Sequence, residues 1–144
     1  MAGAGKTVIL IAHESKTPDL IKLMKKQIHV FQEYRLLATT ETGQAIEQAL
    51  DLEVTHLFSG KRGGEIQLCG LVCTHSVRAV YFIRDAQNPA LDEPDITPFY
   101  RACDINNVPL ATNLVSAVAL THWLGRKSPR QAHPDRPEGS TACA

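Results

Sequence analysis

The chain has no excess charge of either sign, since 15 lysines and arginines balance 15 aspartates and glutamates over 144 residues. That balance leaves no global field to recommend a nucleic acid or an anionic membrane as a partner. Long apolar runs are missing as well. Val8-Ile9-Leu10-Ile11 is far too short to span a bilayer, and the N-terminus lacks the charged-then-apolar layout of a secretory signal, so the expected location is cytoplasmic. Cysteine is sparse: Cys69, Cys73, Cys103 and Cys143 match neither a zinc ribbon nor a CxxC redox motif, and Cys69 and Cys73, one helical turn apart, read as small apolar filling. His29, His56, His75, His122 and His133 show no ligand spacing. Gly5-Lys6-Thr7 lacks the upstream glycine and the preceding strand of a phosphate-binding P-loop. No metal and no cofactor are expected.

What the chain does have is a regular alternation. With 44% hydrophobic residues it is long enough for one core and too short for two ordinary domains. Runs of strand length fall at Thr7–Ala12, Tyr34–Thr39, Val54–Phe58, Val77–Ile83 and Val108–Thr112. Each precedes a helical stretch, at Pro18–Val30, Thr42–Leu50, Gly64–Cys73, Ile96–Ile105 and Leu114–Leu124; Leu20, Leu23, Met24 and Ile28 keep one helix face. Five such units predict a single-domain, three-layer α/β/α sandwich with a five-stranded, mainly parallel, doubly wound sheet over residues 1–125. Residues 126–144 are rich in Pro, Gly, Ser and charge, with four basic against two acidic side chains, and read as a disordered tail.

The carboxyl ends of these strands run into polar or glycine-bearing turns, which a doubly wound sheet gathers along one edge. His13, Lys16, Thr39, Glu41, Thr42, Ser59, Gly60, Gly64, Glu65, Asp85, Asp92 and Asp95 all fall in or beside those turns. Thr39-Thr40-Glu41-Thr42-Gly43 offers hydroxyls and amides at a helix start, a geometry that suits an anion or simply caps the helix. Ser59-Gly60-Lys61-Arg62-Gly63-Gly64-Glu65 places paired glycines before a helix, where backbone can approach a ligand.

Ile11-Ala12-His13, Ser59-Gly60, Asp92-Glu93-Pro94-Asp95 and the long segment Asn107-Val108-Pro109-Leu110-Ala111-Thr112-Asn113-Leu114-Val115 together resemble the methylglyoxal synthase family from about Val8 to about Leu124. The resemblance implies an α/β fold, a homohexamer, and elimination of phosphate from dihydroxyacetone phosphate. It assigns Thr39, Thr42, Ser59 and Gly60 to phosphate, with His13, Lys16, Glu41, Gly64 and Asp85 among the ligand-binding positions. Glu65 stands where the family has its aspartate base, and Asp95 matches a retained aspartate. Asp92 stands where the family has a histidine, and an aspartate with an ordinary carboxylate value near ~4 has no proton to give at neutral pH. Glu41 replaces a phosphate-binding threonine.

The three replacements lead to the expectation of a site that binds a small phosphorylated metabolite or a partner group in a regulatory role, with synthase activity weak or lost. The first alternative is an active synthase using Glu65 as base, with Asp92 or Asp95 as proton donor. The second is an interaction protein whose acidic pocket takes a cationic partner group.

Overall fold

In the computed structural model the described residues are 7–57, 62–74, 77–89 and 95–126. Five strands, β1 (Thr7–Ala12), β2 (Arg35–Thr39), β3 (Val54–Leu57), β4 (Val77–Ile83) and β5 (Leu110–Ala111), pair in the order β3-β2-β1-β4-β5, every pair parallel. The helices are α1 (Thr17–Lys26), α2 (Ile28–Phe31), α3 (Thr40–Ala49), α4 (Gly64–Thr74), α5 (Thr97–Ile105) and α6 (Leu114–Leu124).

Strand alternation splits the core in two. Val8 and Leu10 of β1 face one cluster with Leu20, Met24, Phe31, Ile46 and Leu120, contributed by α1, α2, α3 and α6. Ile9 and Ile11 face the other, with Leu68, Val72, Phe99 and Cys103 from α4 and α5. Both faces are therefore covered, and the near-continuous apolar strands are the consequence. The order in which strands are added switches from one side of β1 to the other at β4, and a crevice opens at that point outside the carboxyl ends.

Three elements depart from the sequence expectation by more than one residue. The helix expected over Pro18–Val30 breaks at Gln27 into α1 and α2, and the bend puts Val30 and Phe31 in the core. The fifth strand shrinks to two residues, since Pro109 has no N–H to offer the ladder and the Val108 N–H is spent on Cys103 O at 2.9 Å. α3 starts two residues before its expected first turn, at Thr40, whose hydroxyl donates to Leu57 O at 2.7 Å. The tail from Lys127 lies outside the described residues. Cys69 and Cys103 are free thiols, and burial raises both pKa values, that of Cys103 to about 12, which suits inert filling.

Two helical glycines differ in a testable way. A Cβ on Gly43 of α3 would stand 2.9 Å from His56 Cδ2, and the His56 ring is held by Glu47, Nε2 to Oε2 at 2.9 Å. A Cβ on Gly70 of α4 would meet nothing within 4 Å. Gly70→Ala is expected to stabilise by about 0.5–1 kcal/mol through the unfolded chain. Gly43→Ala is expected to gain nothing or to destabilise, because the ring must move; denaturant midpoints of the two variants check the contrast.

Candidate active site

The crevice is an open cleft of about 1580 Å³. His13 beyond β1, Thr39 at the end of β2, Asp85 beyond β4, and Glu41 and Glu65 from the first turns of α3 and α4 all line it. Five of the residues predicted from the turns thus meet in one place, although up to 72 positions separate them in pairs such as His13 and Asp85.

Glu65 is placed by a turn that only glycine adopts easily. Gly63 has φ 84°, and its carbonyl accepts from the amides of Ile66 and Gln67, so α4 begins abruptly and carries Glu65 in its first turn. Its Oε2 is buried and has no hydrogen-bond partner among the described residues. A carboxylate oxygen left this way costs the fold on the order of 1–3 kcal/mol, more if charged. Such an oxygen is free to accept from a ligand.

His13 is the best-anchored group of the cleft. Its amide donates to Ile83 O at 3.0 Å, and its carbonyl accepts from the amides of Lys16 and Thr17 and from the Thr17 hydroxyl. Its ring lies edge-on to Phe82, centroids 6.4 Å apart, and Nδ1 accepts from the Asp85 amide at 2.9 Å. The ring proton is therefore assigned to Nε2. Asp85 is itself committed to protein partners: Ser15 Oγ donates to Oδ2 at 2.8 Å, and the Gln87 and Asn88 amides donate to Oδ1. The Ser15 hydroxyl, followed by the Asn88 side chain, holds the Asp85 carboxyl below its ordinary value. This set of bonds is complete above the unfolded-state carboxylate value and is lost as pH falls through the lower folded one.

Around Thr39, α3 presents amides without a side-chain cap. Thr42, 1% exposed, stands behind the cleft, its hydroxyl accepting from the Ala12 amide and the Thr39 hydroxyl and donating to Ala12 O. The Thr42 hydroxyl is thus spent on protein partners, and the uncapped amides of a helix start are a geometry that suits an anion. Lys16, Gly64 and Asp95 stand outside the lining. Asp95 accepts from the Thr97 amide at 3.0 Å at the start of α5, and that bond, followed by one from the Thr97 side chain, lowers its carboxyl pKa. Ser59, Gly60 and Asp92 lie outside the described residues.

Ser15, Phe82 and Asn88, which touch His13 or Asp85, carry no motif that marks them in the sequence. The signal available for Ser15 was its place in the turn His13–Thr17. Among the described residues no group of three His, Cys, Asp or Glu side chains is arranged to hold a metal, and no helix is long and apolar enough to cross a membrane.

No protein-family model matches the chain. Curated relatives do. A methylglyoxal synthase of Thermus thermophilus is 38% identical over 125 residues, covering 87% of this chain and 99% of that one. One of Cupriavidus pinatubonensis is 39% identical over 119 residues, covering 83% and 92%. The crystal structure of methylglyoxal synthase from Elizabethkingia anophelis superposes with a TM-score of 0.76 at 30% identity, over 88% of this chain and 80% of that one.

Proposed function

Since the chain belongs to the methylglyoxal synthase family, we propose that it is an active carbon–oxygen lyase that converts dihydroxyacetone phosphate to methylglyoxal and phosphate, with Glu65 as base. The observation that carries the reading is the buried, unpartnered Glu65 Oε2 in a cleft shared with a ring N–H donor.

In this reading the substrate's phosphate meets the uncapped first turn of α3 beside Thr39, where backbone N–H groups and the helix dipole favour an anion. Glu65 takes a proton from the hydroxymethyl carbon, and His13 Nε2–H donates to the carbonyl oxygen as it becomes an enolate. The terminal hydroxyl of the enediolate then forms the aldehyde carbonyl and gives its proton to the departing phosphate, while the double-bond pair shifts to break the carbon–oxygen bond at the other end; the resulting enol tautomerises, taking a proton at that carbon, to methylglyoxal. Proton transfer by a positioned carboxylate contributes roughly 10²–10⁴-fold. Glu41, Glu65 and Asp92 are the residues that favour a site that only binds. Against it stand the family membership and the donor at His13, which supplies the proton that Asp92 lacks.

Exposed apolar residues on α6, Val115 and Val118, and Ile105 at the end of α5 support extending the reading to a homo-oligomer, a hexamer by resemblance. The test of the main reading is release of methylglyoxal and phosphate in equal amounts from dihydroxyacetone phosphate. Wild type is expected to turn over at ordinary enzyme rates, on the order of 1–10³ s⁻¹. An inactive wild type beside an active Asp92→His/Glu65→Asp/Glu41→Thr variant would mean that the site binds without catalysing.

A further inference from the structure

Ser15 belongs to the short 3-10 turn Glu14–Lys16 that follows β1, and its hydroxyl crosses 70 residues of sequence to donate to Asp85 Oδ2 at 2.8 Å. We propose that Ser15 is a positioning residue that sets the tautomer of His13 by holding the Asp85 turn in place. The Asp85 amide is the group that His13 Nδ1 accepts from, at 2.9 Å.

Asp85 ties its own turn from within, through Gln87 and Asn88. Those bonds shape the turn but do not fix where it stands relative to β1. The His13 backbone is secured by the amides and hydroxyl of its own following turn and, across to the end of β4, by its amide donating to Ile83 O. The ring is held from the turn after β4, where its Nδ1 accepts from the Asp85 amide. Beside that contact and the His13 amide bond to Ile83 O, the Ser15 hydroxyl adds a side-chain bond between the turns after β1 and β4, and it meets a carboxylate, which makes it stronger than a neutral hydroxyl pair. If it is lost, Ile83 stays paired to β1 but the Asp85 turn beyond it loses this side-chain tie, the amide shifts away from Nδ1, and the ring proton redistributes between the two nitrogens.

The structural half of this inference stands on the hydrogen bonds alone, whereas its catalytic consequence rests on the synthase reading. Two variants, Ser15→Ala and Ser15→Thr, are followed by long-range proton–nitrogen NMR of the His13 ring and by steady-state kinetics with dihydroxyacetone phosphate. The wild type is expected to hold the Nε2–H form. Ser15→Ala is expected to show a mixture, with kcat lowered roughly tenfold by the misplaced donor while KM and melting temperature hold. Ser15→Thr, which keeps the hydroxyl, restores both. An unchanged tautomer in Ser15→Ala overturns the proposal whatever the rate, and a shifted tautomer with unchanged kcat in an active enzyme overturns its catalytic half. If the wild type fails to turn over substrate, the synthase reading fails, and the tautomer measurement still decides for or against Ser15.

Discussion

Glu65→Gln is expected to lower methylglyoxal formation by about 10²–10⁴-fold, the range over which a positioned carboxylate contributes to proton transfer. The amide matches the carboxylate in shape and cannot accept a proton at neutral pH, so the change tests chemistry rather than packing. Because Oε2 already lacks a partner, the substitution breaks no hydrogen bond made by that oxygen. Stability should therefore stay within about 1 kcal/mol of wild type while turnover collapses. The kinetic signature matters as much as the size: loss of kcat with KM nearly constant marks an interaction made in the transition state. A variant as active as wild type would remove Glu65 from the mechanism.

Thr42→Val is expected to have the larger structural effect. The hydroxyl is almost wholly enclosed and serves three bonds, two with the Ala12 backbone and one with the Thr39 side chain. Valine keeps the shape but leaves the Ala12 amide and the Thr39 hydroxyl without this partner. Orphaning buried polar groups costs about 1–3 kcal/mol each. For a chain of this size each kcal/mol lowers the melting temperature by roughly 2–5 °C, so a drop on the order of 5–10 °C is expected. The site should suffer with the fold, because these bonds hold the start of α3 against the end of β1, where His13 begins. Thr42→Ser, which restores the hydroxyl, is expected to recover most of both. A valine variant with wild-type melting behaviour would show that the Ala12 amide finds another acceptor.

The fold was legible because its signals are local and repeated. A parallel sheet covered on both faces needs strands that are apolar throughout, and Val8 to Ile11 or Val80 to Ile83 announce themselves without any knowledge of their neighbours. Breaks in that pattern were harder to read. Nothing in Lys25-Lys26-Gln27-Ile28 marks the bend at Gln27, since every residue there accepts a helix; only the depth at which Val30 and Phe31 must sit demands the turn. The fifth strand fell short for a reason present in the sequence, the missing N–H of Pro109, together with one that was not, the capture of the Val108 amide by α5.

The site divides along the same line. That His13, Thr39, Glu41, Glu65 and Asp85 share an edge follows from strand order alone, because parallel strands deliver every carboxyl end to the same side. Their individual duties do not follow. Thr39 and Thr42 are chemically identical in the sequence, yet one borders the cleft and the other is sealed behind it. Asp85 and Glu65 are both carboxylates at strand or helix ends, yet Asp85 is filled by Ser15 and its own turn whereas Glu65 keeps an oxygen unfilled. Periodicity and turn chemistry act over a few residues and so settle the elements, their parallel pairing and the edge where function gathers. Which hydroxyl is spent on the backbone, which carboxylate stays open and which nitrogen of His13 carries the proton depend on contacts up to 72 residues apart, and only packing in three dimensions brings those groups within bonding distance.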